Sequence, residues 1–418
     1  MSFVICNFIK MKPVLKILAV LGFLILIGVV IAYGRGYRWS FKDKTVTSTG
    51  ILSINSIPNA GKVYVNGSFK GATNINLTLP PGNYQIEIKK DGYSRWTKQV
   101  KLQGELVYTI NAQLFPLNPS LSPLTNLGIV KAVPVDQTGK IIIFSDNDNP
   151  DKDGIYLFEA GGFLSLLPPL KPIILKKNLP LIDPDFKETS VYFSPDYKEA
   201  VFEFNSNRSD SKAYLLSLEE ENKDLFDVTT SKEALLTAWE EEKNQEILKI
   251  LEAFPKELVK IASDSFNIIS FSPDKTKLLY QTKTNVNLPL IISPPLIAAN
   301  QTPETRNLSG NNFYVYDKKE DKNYQITNFQ FPVTKQALNN QSPVTFEIQW
   351  YPDSKHLAFV DGKKISIVDY DNKNKRTLYS GPFEKPFFVI TTDGNIVVSA
   401  NLNPEINPLP DLYLIGIK

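Results

Sequence analysis

Few side chains in this sequence could make or break bonds. Its 418 residues include one histidine, His356, and one cysteine, Cys6. Nucleophile systems of the Ser/His/Asp or Cys/His kind need an imidazole beside the nucleophile. His356 follows Lys355 at the start of an apolar run, where an imidazole reads as a polar residue tolerated at a turn. Two such residues cannot assemble a Cys/His zinc site, and one cysteine forms no intramolecular disulfide. Carboxylates remain. Asn149-Pro150-Asp151-Lys152-Asp153-Gly154, preceded by Asp146 and Asp148, has the spacing of the first half of a calcium loop. The position that should carry a bidentate Glu falls on Ala160, and a turn is needed here between Phe144 and Ile155. Asn149, Asp151 and Asp153 are therefore candidate calcium ligands set against a plain hairpin turn. Paired Asp/Glu carboxylates for glycoside cleavage need only spatial closeness, which keeps a carbohydrate-active propeller enzyme as the alternative function. No catalytic, cofactor-binding or other metal-binding residue is expected, and no cofactor.

The elements that position these residues begin with an apolar run, Val14 to Tyr33, interrupted only by Lys16. About 20 residues at 1.5 Å rise span a hydrocarbon core of about 30 Å. Lys16 can snorkel to the headgroups, and Tyr33, Tyr37 and Trp39 follow at interfacial depth. The run is long for a signal peptide, and Ala32-Tyr33-Gly34 is a poor cleavage site. A single transmembrane helix over 14–33 is expected, preceded by a tail over 1–13 and followed by a juxtamembrane linker over 34–48. Met11-Lys12-Pro13-Val14-Leu15-Lys16 reads as a short basic start, so Met11 is the expected initiator. Basic residues flank the run on both sides, so the positive-inside count is close to a tie. Seven basic residues against Asp43 make 1–44 a +6 segment, leaving −4 of the net +2 for the rest. A mildly acidic body lacks the clustered positive charge that nucleic-acid binding requires. No nucleic-acid partner is expected.

From Gly50 the sequence alternates apolar and polar at period two, in Leu52-Ser53-Ile54-Asn55, Val63-Tyr64-Val65, Tyr84 to Ile88 and Gln99 to Leu102. Turns separate these runs at Pro58 to Gly61, Asn66-Gly67, Pro80 to Asn83 and Asp91-Gly92. Residues 49–115 are expected to form an antiparallel sandwich of about six strands. They resemble the PEGA domain, a small β-sandwich of bacterial and archaeal surface proteins. The resemblance rests on Ser56-x-Pro58-x-Ala60-Gly61, Val63-Tyr64-Val65-Asn66-Gly67, Gly71-x-Thr73, Leu79-x-Pro81-Gly82-x-Tyr84 and Lys90-x-Gly92-Tyr93 with Trp96. Asn59, Ala60 and Gly61 stand where the family often has Glu-Gly-Ala. The resemblance implies an envelope-interaction or spacer role, and it places the large C-terminal part outside the cytoplasm. Tyr84, Tyr93 and Trp96 are expected in the core.

Residues 116–418 repeat a unit of strand, Pro-Asp turn, strand and aromatic strand. Clear copies are Phe193-Ser194-Pro195-Asp196-Tyr197-Lys198, Phe271-Ser272-Pro273-Asp274-Lys275 and Trp350-Tyr351-Pro352-Asp353-Ser354-Lys355. Weaker ones fall at Val135-Asp136 to Gly139-Lys140 and Thr392-Asp393-Gly394-Asn395. Proline presets φ and Asp accepts backbone N–H groups, so each copy folds back as an antiparallel sheet. Such sheets bury both faces when arranged radially. The unit resembles the TolB-type, WD40-like propeller repeat, with Tyr197, Lys275 or Ser354 in place of its glycine. The resemblance implies a protein-interaction platform. Related propellers also occur beside serine peptidases, but no Gly-x-Ser-x-Gly elbow is present here. At about 40 residues per blade, the expected number is about six blades.

Two segments interrupt the β pattern. In 231–262, Ser231 can cap, and Leu235, Leu236, Trp239, Ile247, Leu248, Ile250 and Leu251 fall at helical spacing. Pro255 then starts a second helix, giving an α-helical hairpin. The second segment, 283–312, is proline-rich around Leu290, Ile291, Ile292, Leu296 and Ile297. These five and Trp239 are the candidate partner-binding residues. The expectation is a mainly β, single-pass membrane protein with its N-terminus cytoplasmic. Its partners would be the lipid bilayer through 14–33 and an unidentified envelope protein or cell-wall polymer. The PEGA module would act as stalk and the propeller as binding platform.

Overall fold

The computed structural model describes residues 13–34, 37–40, 45–136, 138–147, 149–159, 170–181, 184–205, 211–296, 299–327, 348–405 and 407–417. The chain falls into two compact units, Met1–Leu114 with Leu296–Thr302, and Phe115–Pro295 with Pro303–Lys418.

The first unit opens with helix α1 (Pro13–Gly34), in which the 20 residues Leu15–Gly34 reach a mean hydropathy of 2.8 and none is buried. Leucine and isoleucine all round a helix cannot face water at this length, so the helix is long and apolar enough to cross a membrane. Strands β1 (Tyr37–Ser40) and β2 (Thr45–Ser48) form a hairpin after it.

Seven strands follow: β3 (Gly50–Ile57), β4 (Lys62–Val65), β5 (Ser68–Ala72), β6 (Ile75–Leu79), β7 (Gly82–Lys89), β8 (Trp96–Leu102) and β9 (Val107–Gln113). They build two sheets in the orders β6-β3-β9 and β5-β4-β7-β8. The expected sandwich is present, but with seven strands rather than six, and its first and last strands, β3 and β9, pair in parallel. Period two reports which face a residue takes and not the direction of its neighbour. Leu52, Ile54, Val63, Ile86, Ile88, Trp96 and Val100 form the core, with Tyr84 and Tyr93 packed at its edge.

The resemblance motif now has a physical basis. Ala60 takes φ 59° and Gly61 approaches the sheet so closely that a Cβ there would sit 2.7 Å from Ile88 Cγ2. Thr73 Oγ1 accepts the Gly61 N–H at 2.9 Å and bonds Ser56 Oγ at 2.6 Å, while Ser56 Oγ also reaches the Pro58 carbonyl at 2.7 Å. These groups are buried, so losing one strands the others without water.

The second unit is a ring of five four-stranded antiparallel sheets. Strand β10 (Ser120–Pro123) pairs with the C-terminal strand, as described below. The first sheet is β11 (Ile129–Val135), β12 (Lys140–Ser145), β13 (Gly154–Glu159) and β14 (Leu170–Leu175). The second is β15 (Ser190–Phe193), β16 (Glu199–Phe204), β17 (Lys212–Ser217) and β18 (Phe226–Asp227). Helices α2 (Lys232–Leu251) and α3 (Lys256–Ser265) intervene. The third sheet takes β19 (Phe266–Phe271) and β20 (Lys277–Thr282). After a short ribbon of β21 (Val286–Asn287) and β22 (Asn307–Leu308), it is completed by β23 (Phe313–Asp317) and β24 (Lys322–Ile326). The fourth is β25 (Ile348–Trp350), β26 (His356–Asp361), β27 (Lys364–Asp369) and β28 (Arg376–Tyr379). The fifth joins β29 (Phe388–Ile390), β30 (Ile396–Ala400) and β31 (Asp411–Gly416) to β10, in the order β10-β31-β30-β29. A strand from the start of the unit thus closes its last sheet and covers the edge of β31.

Five sheets are described where about six blades were expected, one for each legible copy of the Pro-Asp turn. Side-chain clusters join the first sheet to the second, the third to the fourth, the fourth to the fifth and the fifth to the first. Between the second and third the helices do the joining. Leu235, Leu236 and Trp239 of α2 pack on Val201, Ala213 and Val228, while Leu251, Phe254, Leu258 and Ala262 pack on Phe266, Leu278, Tyr280 and Tyr316. The two expected helices are present in succession, and their apolar residues pack on different sheets, the second and the third. Ser231 occupies the N-cap position of α2 without a side-chain capping bond. Lys232 instead fixes that end, pairing with Glu203 at 2.7 Å.

Replacing Thr73 by Val should lower unfolding stability by about 1–3 kcal/mol, because it removes a hydroxyl that answers two buried polar groups. Urea denaturation of Thr73→Val and Thr73→Ser checks this, and the serine variant should keep most of the stability.

Candidate interaction site

The first strand of each sheet lies at the inner side of the ring, where its free edge must be satisfied from a neighbouring blade. Gln349 on β25 donates to the Phe388 carbonyl at 2.8 Å and accepts the Ile390 N–H at 3.1 Å. Lys131 on β11 donates to the Lys187 and Thr189 carbonyls at 2.9 and 2.8 Å. The five inner strands β11, β15, β19, β25 and β29 carry no Asp, Glu, His or Cys.

The acidic residues near the centre belong to the turns after these strands, and Asp196, Asp274 and Asp393 are each committed to their own turn. Asp196 Oδ1 accepts Ser194 Oγ at 2.8 Å and Asp274 Oδ1 accepts Ser272 Oγ at 2.7 Å. Asp393 takes Thr391 and Asn395. The next residue in each turn has a left-handed backbone: Tyr197 at φ 57°, Lys275 at 55°, Ser354 at 59° and Gly394 at 88°. Three side-chain-bearing residues thus occupy a conformation that costs an L-residue about 1 kcal/mol, offset by the Asp hydrogen bonds. Burial is the largest influence on Asp274 and pushes its pKa up. The Ser272 and Thr276 hydrogen bonds outweigh it and hold the carboxyl well below the usual range. Asp136, in the equivalent turn of the first sheet, is different. Burial raises its pKa against the opposing pull of Lys243 on α2 and of the Tyr197 hydroxyl, which donates to it at 3.2 Å. The helical sector therefore reaches the turn ring.

His356 is buried in the fourth blade. Its Nδ1 lies 2.7 Å from Asp353 Oδ2 and its Nε2 3.2 Å from Asp369 Oδ1, with the Phe115 ring edge-on at 5.3 Å. Burial opposes the imidazolium, but the two carboxylates win and raise its pKa to about 9. Asp353 and Asp369 are held low, again against burial, by that imidazolium. The arrangement is an ionic clasp closing the turn onto β26 and β27, and it has no open side for a substrate.

In 283–312, one carboxylate organises the proline-rich loop. Asp321, 2% exposed, accepts the Ile291 and Ile292 N–H groups at 2.8 and 2.9 Å and the Tyr316 hydroxyl at 2.9 Å. Arg306 pairs with the same carboxylate at 3.3 Å and donates to the Pro289 carbonyl at 2.6 Å. Sequence reading passed over Asp321 because a lone acidic residue in a Lys-Lys-Glu-Asp-Lys turn looks like solvated charge. Of the candidate partner-binding residues, Leu290 is 48% and Leu296 44% exposed. Ile292 is half-buried, Ile291 packs against the third sheet, and Trp239 packs against the second. Ile297 lies outside the described residues.

At the candidate calcium loop the polar groups already have partners. Asp153 accepts the Asn147 and Asn149 N–H groups at 2.8 and 2.7 Å, and Asn149 Oδ1 accepts the Asp151 N–H at 3.3 Å. Asp151 pairs with Lys177 at 2.8 Å and Asp146 with Lys176 at 2.7 Å. Among the described residues no group of three or more His, Cys, Asp or Glu could hold a metal ion. The geometry is that of a hydrogen-bonded turn.

An apolar helix, a small β-sandwich and a closed β-propeller define the class of protein. Residues 49–118 match the family model of the PEGA domain, in agreement with the motif at Ser56 to Thr73. A comparison with curated proteins found no match. Among solved structures, TolB from Acinetobacter baumannii aligns at 14% identity over 80% of this chain and 60% of that one, with a TM-score of 0.20. A putative TolB from Agrobacterium tumefaciens aligns at 10% identity over 86% and 99%, TM-score 0.18. A post-proline cleaving enzyme from Rickettsia typhi aligns at 10% over 80% and 42%, TM-score 0.19. The propeller assignment rests on the sheet order and its closure, not on these alignments.

Two outcomes are expected. Asp321→Ala should destabilise the propeller by about 1–3 kcal/mol, since it strands the Ile291 and Ile292 N–H groups and the Tyr316 hydroxyl while Glu304 still pairs with Arg306, and limited proteolysis should then cut within 289–295. For His356 the folded pKa lies above the unfolded value, so its stabilisation is full below about pH 6.5 and is lost as pH rises through about 9. Asp353 and Asp369, held low, contribute above the ordinary carboxylate range and lose that contribution as pH falls. Melting temperature should therefore decline from pH 6.5 to 9 in the native chain, and His356→Gln should melt lower and lack that decline.

Proposed function

We propose that this chain is a membrane-anchored binding protein of the cell envelope. In this reading α1 is the anchor, the PEGA domain is the stalk, and the propeller is the platform for an envelope protein or cell-wall polymer. One observation carries it. Among the described residues the innermost strands bring no acidic residue, histidine or cysteine to the centre of the ring, and the turn carboxylates beside them are engaged in structure. A propeller hydrolase of the carboxylate kind needs two such groups facing a substrate. The exposed α1, apolar except for Lys16, supports anchorage, and in this reading the N-terminus is cytoplasmic and the folded units lie outside.

Leu290 and Ile292 are the proposed partner contacts, on a segment whose backbone Asp321 ties down at Ile291 and Ile292. Protease added to intact cells should degrade everything beyond residue 45, and the purified chain should release no reducing ends from glycans. Full protection in intact cells refutes the orientation, and glycan turnover refutes the binding role.

A further inference from the structure

Strand alternation in the β5-β4-β7-β8 sheet sends Val63, Val65, Ile86, Ile88 and Val100 into the sandwich core and the residues between them outward. On that outer face Tyr64 and Phe69 stand opposite one another in register, rings 5.6 Å apart at 60°. Phe69 is 60% exposed, and nothing in the core requires a phenylalanine there. Lys89 Nζ lies 5.0 Å from the Tyr64 ring centre, and Lys62 occupies the neighbouring register position. Lys89 and Arg95 both pair with Glu87, so two cations share one carboxylate. Residues 49–114 contain seven Lys/Arg against three Asp/Glu, while the segment from 115 onward is net acidic. This small domain is thus net basic while the rest of the folded part is net acidic.

We infer that this outer face binds an acidic polysaccharide. Aromatic faces are electron-rich and attract the polarised C–H groups of a pyranose ring, as they attract cations. Gln85 and Gln99, paired in register beside the rings, supply amides for hydroxyl groups. The basic side chains match carboxylates along the polymer. Four strands at about 4.8 Å spacing give a platform about 14 Å across, the reach of a short oligosaccharide. Each exposed ion pair contributes about 1 kcal/mol or less, so useful affinity needs a repeating anion rather than a single sugar acid. A bilayer is the poorer fit: the face is flat, its centre holds Glu87, and amides flank the rings. This inference gives the domain proposed as a stalk a ligand of its own, and it does not depend on what the propeller binds.

The test uses the full chain in detergent with polygalacturonate as probe and dextran as neutral control. Affinity electrophoresis should show retention by polygalacturonate that weakens with added salt. Phe69→Ala and Lys62→Gln/Lys89→Gln should each weaken retention about threefold to tenfold at unchanged melting temperature, with Phe69→Tyr close to native. In a Phe69→Trp variant, polygalacturonate should shift the fluorescence of the new indole. Absence of retention, equal retention by dextran, or indifference to both sets of substitutions overturns the inference. So does quenching of the Phe69→Trp indole by brominated phosphatidylglycerol in vesicles without any response to polygalacturonate, which would assign the face to the bilayer.

Discussion

A propeller blade is an apolar sheet with two greasy faces, and everything in the larger unit follows from the need to cover both. Four of the interfaces around the ring are met in the same way, by residues of adjacent sheets such as Phe144 against Phe202 or Val315 against Phe359. The fifth is not. Val201 and Ala213 on one side and Tyr280 and Tyr316 on the other find helical partners instead, Leu236 and Trp239 of α2 and Leu258 of α3. A burial requirement has no preference for strand or helix. Any element presenting an apolar stripe can cover such a face, and here two helices cover faces of the second and third sheets.

The same requirement explains how the polar residues are used. Where the inner strands leave edge groups open, Lys131 and Gln349 reach across to the next blade. Where a turn must reverse inside the ring, an Asp carboxylate ties down the backbone and lets Tyr197, Lys275 and Ser354 hold a left-handed conformation. His356 extends that device, since its ring bridges the turn carboxylate of Asp353 to Asp369 on β27 and so couples turn to sheet. The one histidine in the chain is consumed in this clasp.

Polar groups so fully employed leave recognition to surfaces. The propeller offers the loop around Leu290, stiffened at its base by Asp321 and Arg306. The PEGA domain offers an aromatic and basic sheet face.

Much of this was legible in the residues. The 14–33 span, the hairpin signals of 49–115 and five copies of the Pro-Asp turn are local patterns, because hydropathy, period and turn chemistry act over a few neighbouring residues. Five turn copies were legible and five sheets are described, against about six blades expected from chain length. Trp239 looked like a partner contact, since helical spacing marks an apolar stripe without saying what it meets. Other features were decided only in three dimensions. The parallel pairing of β3 with β9, the closure of the last sheet by β10, the clasp around His356 and the role of Asp321 all join residues far apart in the chain. Sequence determined which segments fold and which face each must bury. Tertiary structure decided which distant segment covers that face, because a buried surface needs a partner of complementary shape and the chain offers several.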